Sequence, residues 1–398
     1  MKDYFFSDKI SSLQPSAIRE ILKFTADPNV ISFAAGNPSA EAFPVEEIRK
    51  ITDDILSQEP IAALQYSITE GYPALRDEVK KMVSRRADSY CPERDEVLIT
   101  SGAQQGIELF AKCSVNEQDV VLTENPSFIG SLNTIRSFNA KIDGVRVESD
   151  GLNIQELEQK LKSHQNVRFL YVIPNFQNPT GTTMSLDKRR SVLELAQKYD
   201  ILILEDNPYG DLRFEGEDLP TIKSMDQEGR VVYVGSFSKI LSPGLRLGYV
   251  VAPKPIISKM TVAKQGADVH TSILPQMIAQ RFLATYDLDK HLAGLKKIYH
   301  HKAHLMMDQI EEHFSSKITY IKPQGGLFIW CTLPDQVDMV QFCTEAVHHK
   351  VACVPGTAFL PVEGETSHSF RLNYSTPSDD KIMNGIRILG QLSKELLK

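Results

Sequence analysis

The 398-residue sequence has few cysteines, no long apolar run and no block of like charge. Its five cysteines are widely spaced and form no CxxC pair, which argues against a disulfide framework and a cysteine zinc site. No apolar run approaches the roughly 18 residues that span a bilayer. With 44 basic and 51 acidic residues the net charge is −7, which disfavours binding to nucleic acid or to an anionic membrane surface. Because the first residues also lack the apolar segment of a secretory signal, we expect a cytoplasmic protein.

We expect no metal site either. His300 and His304 are spaced i, i+4 on a predicted helix, and this spacing is compatible with a pair of metal ligands. No Glu lies between them in the metalloprotease pattern, and the surrounding stretch is rich in Lys and His. A solvated helix face is therefore the better interpretation of the pair.

Short β-branched runs alternate with polar loops and helical patterns through most of the chain. Strands are predicted at 97–100, 119–123, 169–173, 201–205 and 231–235. Continuous apolar strands that alternate with helices indicate a mainly parallel sheet covered on both faces. We therefore expect an α/β fold with a sheet of the seven-stranded type.

The pattern changes near residue 285, where a long amphipathic helix is followed by further strand-like runs. Helix and strands in this order suggest a smaller α+β domain. We predict an N-terminal arm with a short helix that packs on the site and the small domain, a large domain and a small C-terminal domain, with boundaries at 1–40, 41–285 and 286–398.

Lys239 and Asp206 each follow a strongly apolar strand, at the edge where an α/β sheet places its ligand. Desolvation and nearby cations such as Arg246 would make the Lys239 amine nucleophilic toward a carbonyl; otherwise it is a solvated surface charge. A carboxylate at Asp206 is costly to bury unless it pairs with a cation, and a protonated pyridine nitrogen is one such partner. The alternative for Asp206 is a helix N-cap.

Other side chains near these strand ends suit a flat, phosphorylated ligand. Gly102, Ala103 and Gln104 would offer backbone N–H groups to a phosphate at a helix N-terminus. Phe128 would stack on a ring or fill the core. Arg371, on a predicted strand of the small domain, is either a fork for a carboxylate or a surface ion pair.

One set of motifs runs along nearly the whole chain. It comprises Asn178-Pro179-Thr180-Gly181, Asp206-x-x-Tyr209, Ser236-x-Ser238-Lys239-x-x-x-Pro243-Gly244-x-Arg246-x-Gly248 and Arg371. In order and spacing the set closely resembles the fold-type-I pyridoxal-phosphate aminotransferases of class I/II. Segments 14–21, 64–67, 176–181 and 205–209 are most similar to the 2-aminoadipate/kynurenine aminotransferase group, whose core the MocR-type regulators share.

The resemblance implies a homodimer with shared active sites that uses pyridoxal 5'-phosphate. Lys239 would form the Schiff base with the cofactor and shuttle the proton, and Asp206 would pair with the pyridine nitrogen. The residues implied to hold the ring and phosphate are Gly102, Ala103, Gln104, Phe128, Asn178, Tyr209, Ser236, Ser238, Arg246 and, across the dimer interface, Tyr66. Those implied to contact the substrate are Gly36, Asn178 and Arg371 at the α-carboxylate, Tyr66, and Ser16 and Arg19 at the distal end.

The implied reaction is a ping-pong exchange of an amino group between an L-amino acid and a 2-oxo acid such as 2-oxoglutarate. Arg19 favours glutamate or 2-aminoadipate as the donor, although it would equally sit exposed on an amphipathic helix. Aromatic or broad donor sets stay open. Two alternatives share the same core residues: a pyridoxal-phosphate lyase or decarboxylase, and a non-catalytic cofactor-binding sensor, against which the net charge of −7 counts.

Overall fold

Strands and helices alternate along most of the chain, as the apolar runs predict. The computed structural model describes residues 4–11, 13, 27 and 29–397. Its strands are β1 (Ile31–Ser32), β2 (Asp95–Thr100), β3 (Val120–Asn125), β4 (Lys141–Glu148), β5 (Gly151–Leu152), β6 (Val167–Val172), β7 (Leu202–Asp206), β8 (Val231–Ser236), β9 (Gly248–Pro253), β10 (Thr319–Tyr320), β11 (Phe328–Thr332), β12 (Val351–Ala352), β13 (Val354–Pro355) and β14 (Ser369–Asn373). Its α-helices are α1 (Asp8–Ser11), α2 (Val45–Gln58), α3 (Pro60–Leu64), α4 (Pro73–Ala87), α5 (Ala103–Ser114), α6 (Ile129–Arg136), α7 (Ile154–Ser163), α8 (Leu186–Lys198), α9 (Ile222–Met225), α10 (Lys254–Gln265), α11 (Ile273–Thr285), α12 (Leu288–His313), α13 (Met339–His348) and α14 (Asp379–Leu396). Among these described helices, none combines the length and apolarity needed to cross a membrane.

The largest sheet has eight strands in the order β2-β9-β8-β7-β6-β3-β4-β5. Neighbours from β8 through β4 are parallel, whereas β9 runs antiparallel to both β2 and β8. The two-residue strand β5 adds a short antiparallel pairing at the outer edge of β4. The mainly parallel sheet is thus confirmed, and β5 accounts for the strand beyond the expected seven.

Both faces of this sheet are covered by helices. Along β6, Phe169 and Tyr171 belong to one buried apolar cluster, whereas Leu170 and Val172 belong to another. This separation follows from the strand's two-residue period, which points successive side chains to opposite faces. Apolar residues of α5 and α10 complete the first cluster, and those of α7 and α8 complete the second.

The C-terminal part of the chain forms a second, smaller sheet. Its four antiparallel strands have the order β10-β11-β14-β13, and α12 packs beside α14. The long helix expected at 287–313 begins at Leu288, with the Asp287 side chain accepting a bond from the N–H of Lys290. Near the N-terminus, β1 pairs in parallel with β12. The domain boundaries at residues 40 and 285 remain a prediction.

This topology brings chemically active side chains to one edge of the central sheet. Parallel strands β3, β6, β7 and β8 end side by side, so the polar loops that follow them meet there. Asp206 ends β7, and Lys239 comes shortly after the end of β8. Strand β14 of the smaller sheet contributes Arg371 to the same place.

Candidate active site

A cavity of about 300 Å³ lies at this edge of the sheet. Its walls contain most of the residues that the sequence singled out: Gly36, Ala103, Gln104, Phe128, Asn178, Asp206, Tyr209, Ser236, Ser238, Lys239, Arg246 and Arg371. Its remaining walls are Ile107, Ile173, Pro208 and Phe328. A volume of this size, walled by apolar groups with a few polar ones, is typical of a small-molecule site.

Lys239 is held at the cavity by the backbone of the N-terminal segment. Its Nζ donates a hydrogen bond to the carbonyl oxygen of Gly36 at 2.8 Å. Burial lowers the pKa of Lys239 to about 8, and the cations of Arg371 and Arg246 act in the same direction. A pKa of about 8 leaves about a tenth of the amine neutral at pH 7, far more than in an ordinary lysine, and a nucleophilic or proton-transferring amine uses this neutral form. Lys239 is therefore not an ordinary solvated surface charge.

Asp206 is buried, and only one of its two carboxylate oxygens is satisfied by the protein. Tyr171 donates its hydroxyl proton to Oδ2 at 2.7 Å, whereas Oδ1 has no hydrogen-bond partner among the described residues. Burial raises the pKa of Asp206 to about 7. The short helix that follows (Gly210–Leu212) is N-capped by Tyr209, so Asp206 is not its cap. The free oxygen suits a cationic N–H donor on a ligand.

Arg371 is a buried guanidinium that lacks a counter-ion. Nη1 donates to Oδ1 of Asn178 and Nη2 to the carbonyl oxygen of Ala34, each at 2.7 Å. Among the described residues Nε has no partner, and no carboxylate lies within ion-pair distance of the guanidinium. The ring centroids of Phe328 and Phe359 lie 4.1 and 4.9 Å from the guanidinium carbon. Burial lowers the pKa of Arg371 to about 10, so it stays charged at neutral pH and requires an anion from outside the described residues.

The N-terminus of α5 forms a cradle at another wall of the cavity. Gly102 is the N-cap of α5 at a φ of +81°, and no side chain caps the first N–H groups of the helix. A Cβ on Gly102 would lie 2.4 Å from Nη2 of Arg246, and one on Gly248 would lie 2.5 Å from the N atom of Ala103. Free N–H groups, the helix dipole and an adjacent guanidinium together favour a phosphate.

Gln104, Ser236 and Ser238 complete this cradle. The Gln104 amide donates to the carbonyl of Gly130 at 3.1 Å and to the hydroxyl of Thr134 at 2.6 Å, which ties α5 to α6. Gln104 is thus left to offer its backbone N–H to a ligand. The Ser236 hydroxyl accepts a bond from the N–H of Ser238 at 3.1 Å, and both residues line the cavity.

Tyr209 and Phe128 form further parts of the wall. The Tyr209 ring meets Phe328 edge-on with centroids 5.9 Å apart. Burial raises the pKa of Tyr209 well above its usual range, which keeps the hydroxyl protonated as a donor. Phe128 packs closely over Gly130, where an added Cβ would lie 2.6 Å from the ring.

Of the predicted residues that the structure describes, Gly102 and Tyr66 do not line the cavity, although Gly102 adjoins it through Ala103. Tyr66 is 82% exposed and contacts His270 edge-on with ring centroids 5.8 Å apart. Ser16 and Arg19 lie outside the described residues. Their roles remain predictions.

Sequence reasoning missed Tyr171 and the pair Glu124–Gln177. Glu124 is buried and accepts bonds from the N–H of Ile173 and from the Gln177 amide, each at 3.1 Å. The Gln177 carbonyl oxygen in turn accepts from the N–H and hydroxyl of Thr180 at 2.9 and 2.8 Å, which orders the loop that carries Asn178. The sequence does contain a signal for Glu124, because it is a carboxylate within the apolar strand β3, as Asp206 is in β7.

Similarity to known proteins identifies the family of this chain. The family model described as aminotransferase class I and II matches residues 28–389 of the chain. The chain belongs to the class I and II aminotransferases.

Two similar relatives and one solved structure match nearly the full length of this aminotransferase. An aromatic-amino-acid aminotransferase of Thermococcus litoralis is 37% identical over 99% of this chain and 95% of its own length. A 2-aminoadipate transaminase of Thermus thermophilus is 37% identical over 98% of this chain and 97% of its own. The crystal structure of Pyrococcus horikoshii kynurenine aminotransferase in complex with PMP matches with a TM-score of 0.95 at 37% identity, covering 99% of this chain and 98% of that one.

The cofactor of this aminotransferase is pyridoxal phosphate, and its chemistry agrees with the cavity. A protonated pyridine nitrogen would donate a hydrogen bond to the free Oδ1 of Asp206. A phosphate would accept hydrogen bonds from the uncapped N-terminus of α5, and an aldehyde would react with the amine of Lys239. The close approach of Arg246 to Gly102 supplies a cation to the phosphate end.

Proposed function

We propose that this aminotransferase exchanges the amino group of an L-amino acid with a 2-oxo acid such as 2-oxoglutarate in a ping-pong sequence, with glutamate and 2-aminoadipate among its donors. One observation carries the proposal. The unpaired guanidinium of Arg371 lines the same cavity as the free carboxylate oxygen of Asp206 and the amine of Lys239. A site with these three groups has a place for a substrate carboxylate, a ring nitrogen and a reacting carbonyl.

The phosphate and ring of the cofactor would be held by groups on α5, β7 and β8 and on the loops beside this edge of the sheet. The proposed set is Gly102, Ala103, Gln104, Ser236, Ser238 and Arg246 at the phosphate, Asp206 at the pyridine nitrogen, Tyr209 and Asn178 at the ring oxygen, and Phe128 on the ring face. The bound cofactor supplies an electron sink that stabilises negative charge at the substrate Cα. An Asp206 kept charged by the ring N–H would maintain that sink.

Arg371 and Asn178 would bind the α-carboxylate of the substrate, with the Gly36 backbone beside them. The hydrogen bond from Arg371 to Asn178 and the bond to Ala34 fix the plane of the guanidinium, so a carboxylate would meet a fork that is already oriented. Fixing the α-carboxylate also fixes the direction of the Cα–H bond.

Lys239 would move the proton to and from the substrate Cα. Its amine has a pKa of about 8 and lies against the Gly36 carbonyl, so a small change in its surroundings converts it between acid and base. Arg371 and Arg246 lower that pKa and would favour the basic form at the start of the reaction.

We propose a donor set that includes aromatic as well as acidic amino acids. Relatives named for aromatic amino acids and for 2-aminoadipate are equally similar to this chain, each at 37% identity. The apolar walls Ile107, Ile173 and Phe328 would accept an uncharged side chain. Ser16 and Arg19 would contact the distal carboxylate of an acidic donor.

The working unit would be a homodimer with shared sites. Tyr66 is exposed together with the nearby apolar side chains Ile61, Leu64 and Ile68, which form an uncovered apolar surface on the single chain. Packing this surface on a second copy would bury it and would bring Tyr66 to the partner's phosphate.

Initial rates with 2-oxoglutarate and a panel of acidic, aromatic and aliphatic donors test the proposal. We expect parallel double-reciprocal lines and the highest kcat/KM values for acidic and aromatic donors. Intersecting lines would contradict the ping-pong sequence. Release of ammonia, pyruvate or carbon dioxide without an acceptor would instead indicate a lyase or decarboxylase.

A further inference from the structure

A second cluster of potential ligands lies outside the active-site cavity. Glu215, His300 and His304 each offer one ligand atom, and these atoms lie within 4.8 Å of one another. Both histidines are on α12, while Glu215 is on the loop that follows the short helix Gly210–Leu212. The sequence alone indicates only the two histidines as possible ligands, because Glu215 is distant in sequence and the fold brings it beside them.

The distances match those around a tetrahedral zinc ion. The Oε1 atom of Glu215 lies 3.0 Å from Nε2 of His304 and 3.7 Å from Nε2 of His300. Ligand bonds of about 2.0–2.1 Å place neighbouring ligand atoms about 3.3–3.4 Å apart in a tetrahedron. The two distances from Glu215 to the histidines therefore need to change by only a few tenths of an ångström around an ion. The i, i+4 spacing already holds the two rings at a centroid distance of 4.1 Å.

The other ring nitrogen of His304 has the partner that a metal-binding histidine uses. Nδ1 of His304 lies 2.9 Å from the carbonyl oxygen of His300, so Nδ1 carries the proton and donates it. In the neutral ring, Nε2 then presents a lone pair toward the Glu215 carboxylate.

The loop that carries Glu215 is anchored before any ion binds. The backbone N–H groups of Phe214 and Glu215 both donate to the carbonyl oxygen of Gln324, at 3.0 and 3.1 Å. The Phe214 ring also contacts both histidine rings, at 5.6 and 6.5 Å. A preformed arrangement loses little conformational entropy when it binds an ion.

We propose that Glu215, His300 and His304 bind a divalent transition-metal ion of the Zn²⁺ type, with water at the fourth position. Two imidazoles and one carboxylate are a ligand set that zinc accepts. The ion would link the loop after Tyr209 and Leu212 to the long helix α12. None of the three ligands lines the active-site cavity, so this inference is independent of the proposed donor and acceptor.

The site is tested by measuring zinc binding to the dialysed, cofactor-loaded protein, with a chromophoric chelator as the competitor for zinc. The protein should carry Cys113→Ser, because Cys113 is the most exposed of the five thiols and would itself bind zinc. We expect one zinc ion per chain, with an affinity that falls at least 10-fold in Glu215→Gln and in His304→Ala. His301→Ala is the matched control, since His301 is exposed on the same helix but pairs with Asp379 at 2.7 Å.

Melting temperatures without zinc will show whether each variant is folded, and both ligand variants are needed so that one misfolded protein does not decide the result. Equal affinity in the parent, Glu215→Gln and His304→Ala would overturn the proposal, as would the absence of zinc binding to the folded parent. An equal loss in His301→Ala would also overturn it, because the cluster would then be an unspecific histidine surface.

Discussion

Asp206, Lys239 and Arg371 are three buried ionisable side chains that share one cavity without neutralising one another. Among the described residues, Asp206 keeps a free carboxylate oxygen and Arg371 a free Nε, whereas Lys239 has a carbonyl as its one hydrogen-bond partner. An unpaired buried charge costs several kcal/mol, so the cofactor-free protein is less stable than the same fold with its ligands bound. These three side chains therefore make the most sensitive tests.

The pKa of Lys239 predicts how cofactor uptake depends on pH. Only the neutral amine attacks the cofactor aldehyde, so the uptake rate should rise from pH 6, reach its midpoint near pH 8 and level off about one pH unit higher. Absorbance stopped-flow on cofactor-free protein measures this rate. Arg371→Gln should move the midpoint to higher pH, because the Arg371 cation lowers the Lys239 pKa. A rate of cofactor uptake that does not change with pH would argue against this role of the Lys239 amine. Lys239→Ala should fold and show no turnover.

Asp206→Asn should separate stability from activity. Burial raises the Asp206 pKa from 3.8 to about 7, so the unfolded chain loses this proton first as the pH rises. The contribution of this group to the stability of the cofactor-free fold is complete below about pH 4 and is lost by about pH 7. Asp206→Asn has no ionising carboxyl at this position, so its stability does not fall in this way as the pH rises. We expect a higher Tm than the parent at pH 8 without cofactor, and a turnover at least about 100-fold lower with it.

A lower Tm of Asp206→Asn at pH 8 would show that Oδ1 of Asp206, like Oδ2 with Tyr171, already has a partner in the cofactor-free fold. Glu124 is the internal comparison, since burial raises its pKa to about 8 while the N–H of Ile173 and the Gln177 amide satisfy it. Glu124→Gln should therefore also reduce the loss of stability between pH 5 and 8, with cofactor binding retained.

Arg371→Lys should impair substrate binding without loss of the cofactor. Lysine retains the charge but not the planar fork that donates to Asn178 and Ala34. We expect KM for the amino donor to rise roughly 10- to 100-fold, corresponding to about 1.4–2.7 kcal/mol. Steady-state kinetics and cofactor absorbance give both quantities. Loss of cofactor with unchanged KM would mean that Arg371 serves the cofactor instead.

Among the helices and strands, α5 and β9 meet closely beside the site. Gly248→Ala would place a Cβ 2.5 Å from the N atom of Ala103 and displace the N-terminus of α5. We expect cofactor affinity to fall at least about 10-fold. Gly294→Ala is the control: Gly294 lies on α12 with open space around it, so alanine should leave affinity unchanged and raise stability by about 0.5–1 kcal/mol. Equal affinities in the two variants would contradict the cradle.

The strands that could be predicted are those buried on both faces, because their side chains are continuously apolar. β6, β7 and β8 are of this kind, and their predicted limits agree with the structure to within two residues. β4 was not predicted because charged residues interrupt it near the sheet edge, where its outer neighbour is only the two-residue β5. The roles of Tyr171 and Phe328 could not be read from sequence, since their contacts to Asp206 and Arg371 join distant parts of the chain.

At the scale of the assembly, substitution of Tyr66 tests whether the two chains of a dimer share their active sites. Tyr66→Ala should weaken cofactor binding, and Lys239→Ala should abolish turnover. If Tyr66 serves the partner's site, a mixed dimer of the two variants regains one normal site. Mixing them with subunit exchange should then restore about a quarter of the parent activity. Activity that stays at the level of the separate variants, in samples shown to contain mixed dimers, would contradict a shared site.

The most direct measurement is the half-reaction of the yellow, cofactor-loaded protein with glutamate alone. We predict that the yellow absorbance bleaches as one equivalent of 2-oxoglutarate is released per site, and that 2-oxoglutarate added afterwards restores the colour. The same experiment with 2-aminoadipate and an aromatic donor ranks the substrates. Bleaching that requires donor and acceptor together, or no bleaching by any amino acid, would contradict amino-group transfer through this cavity.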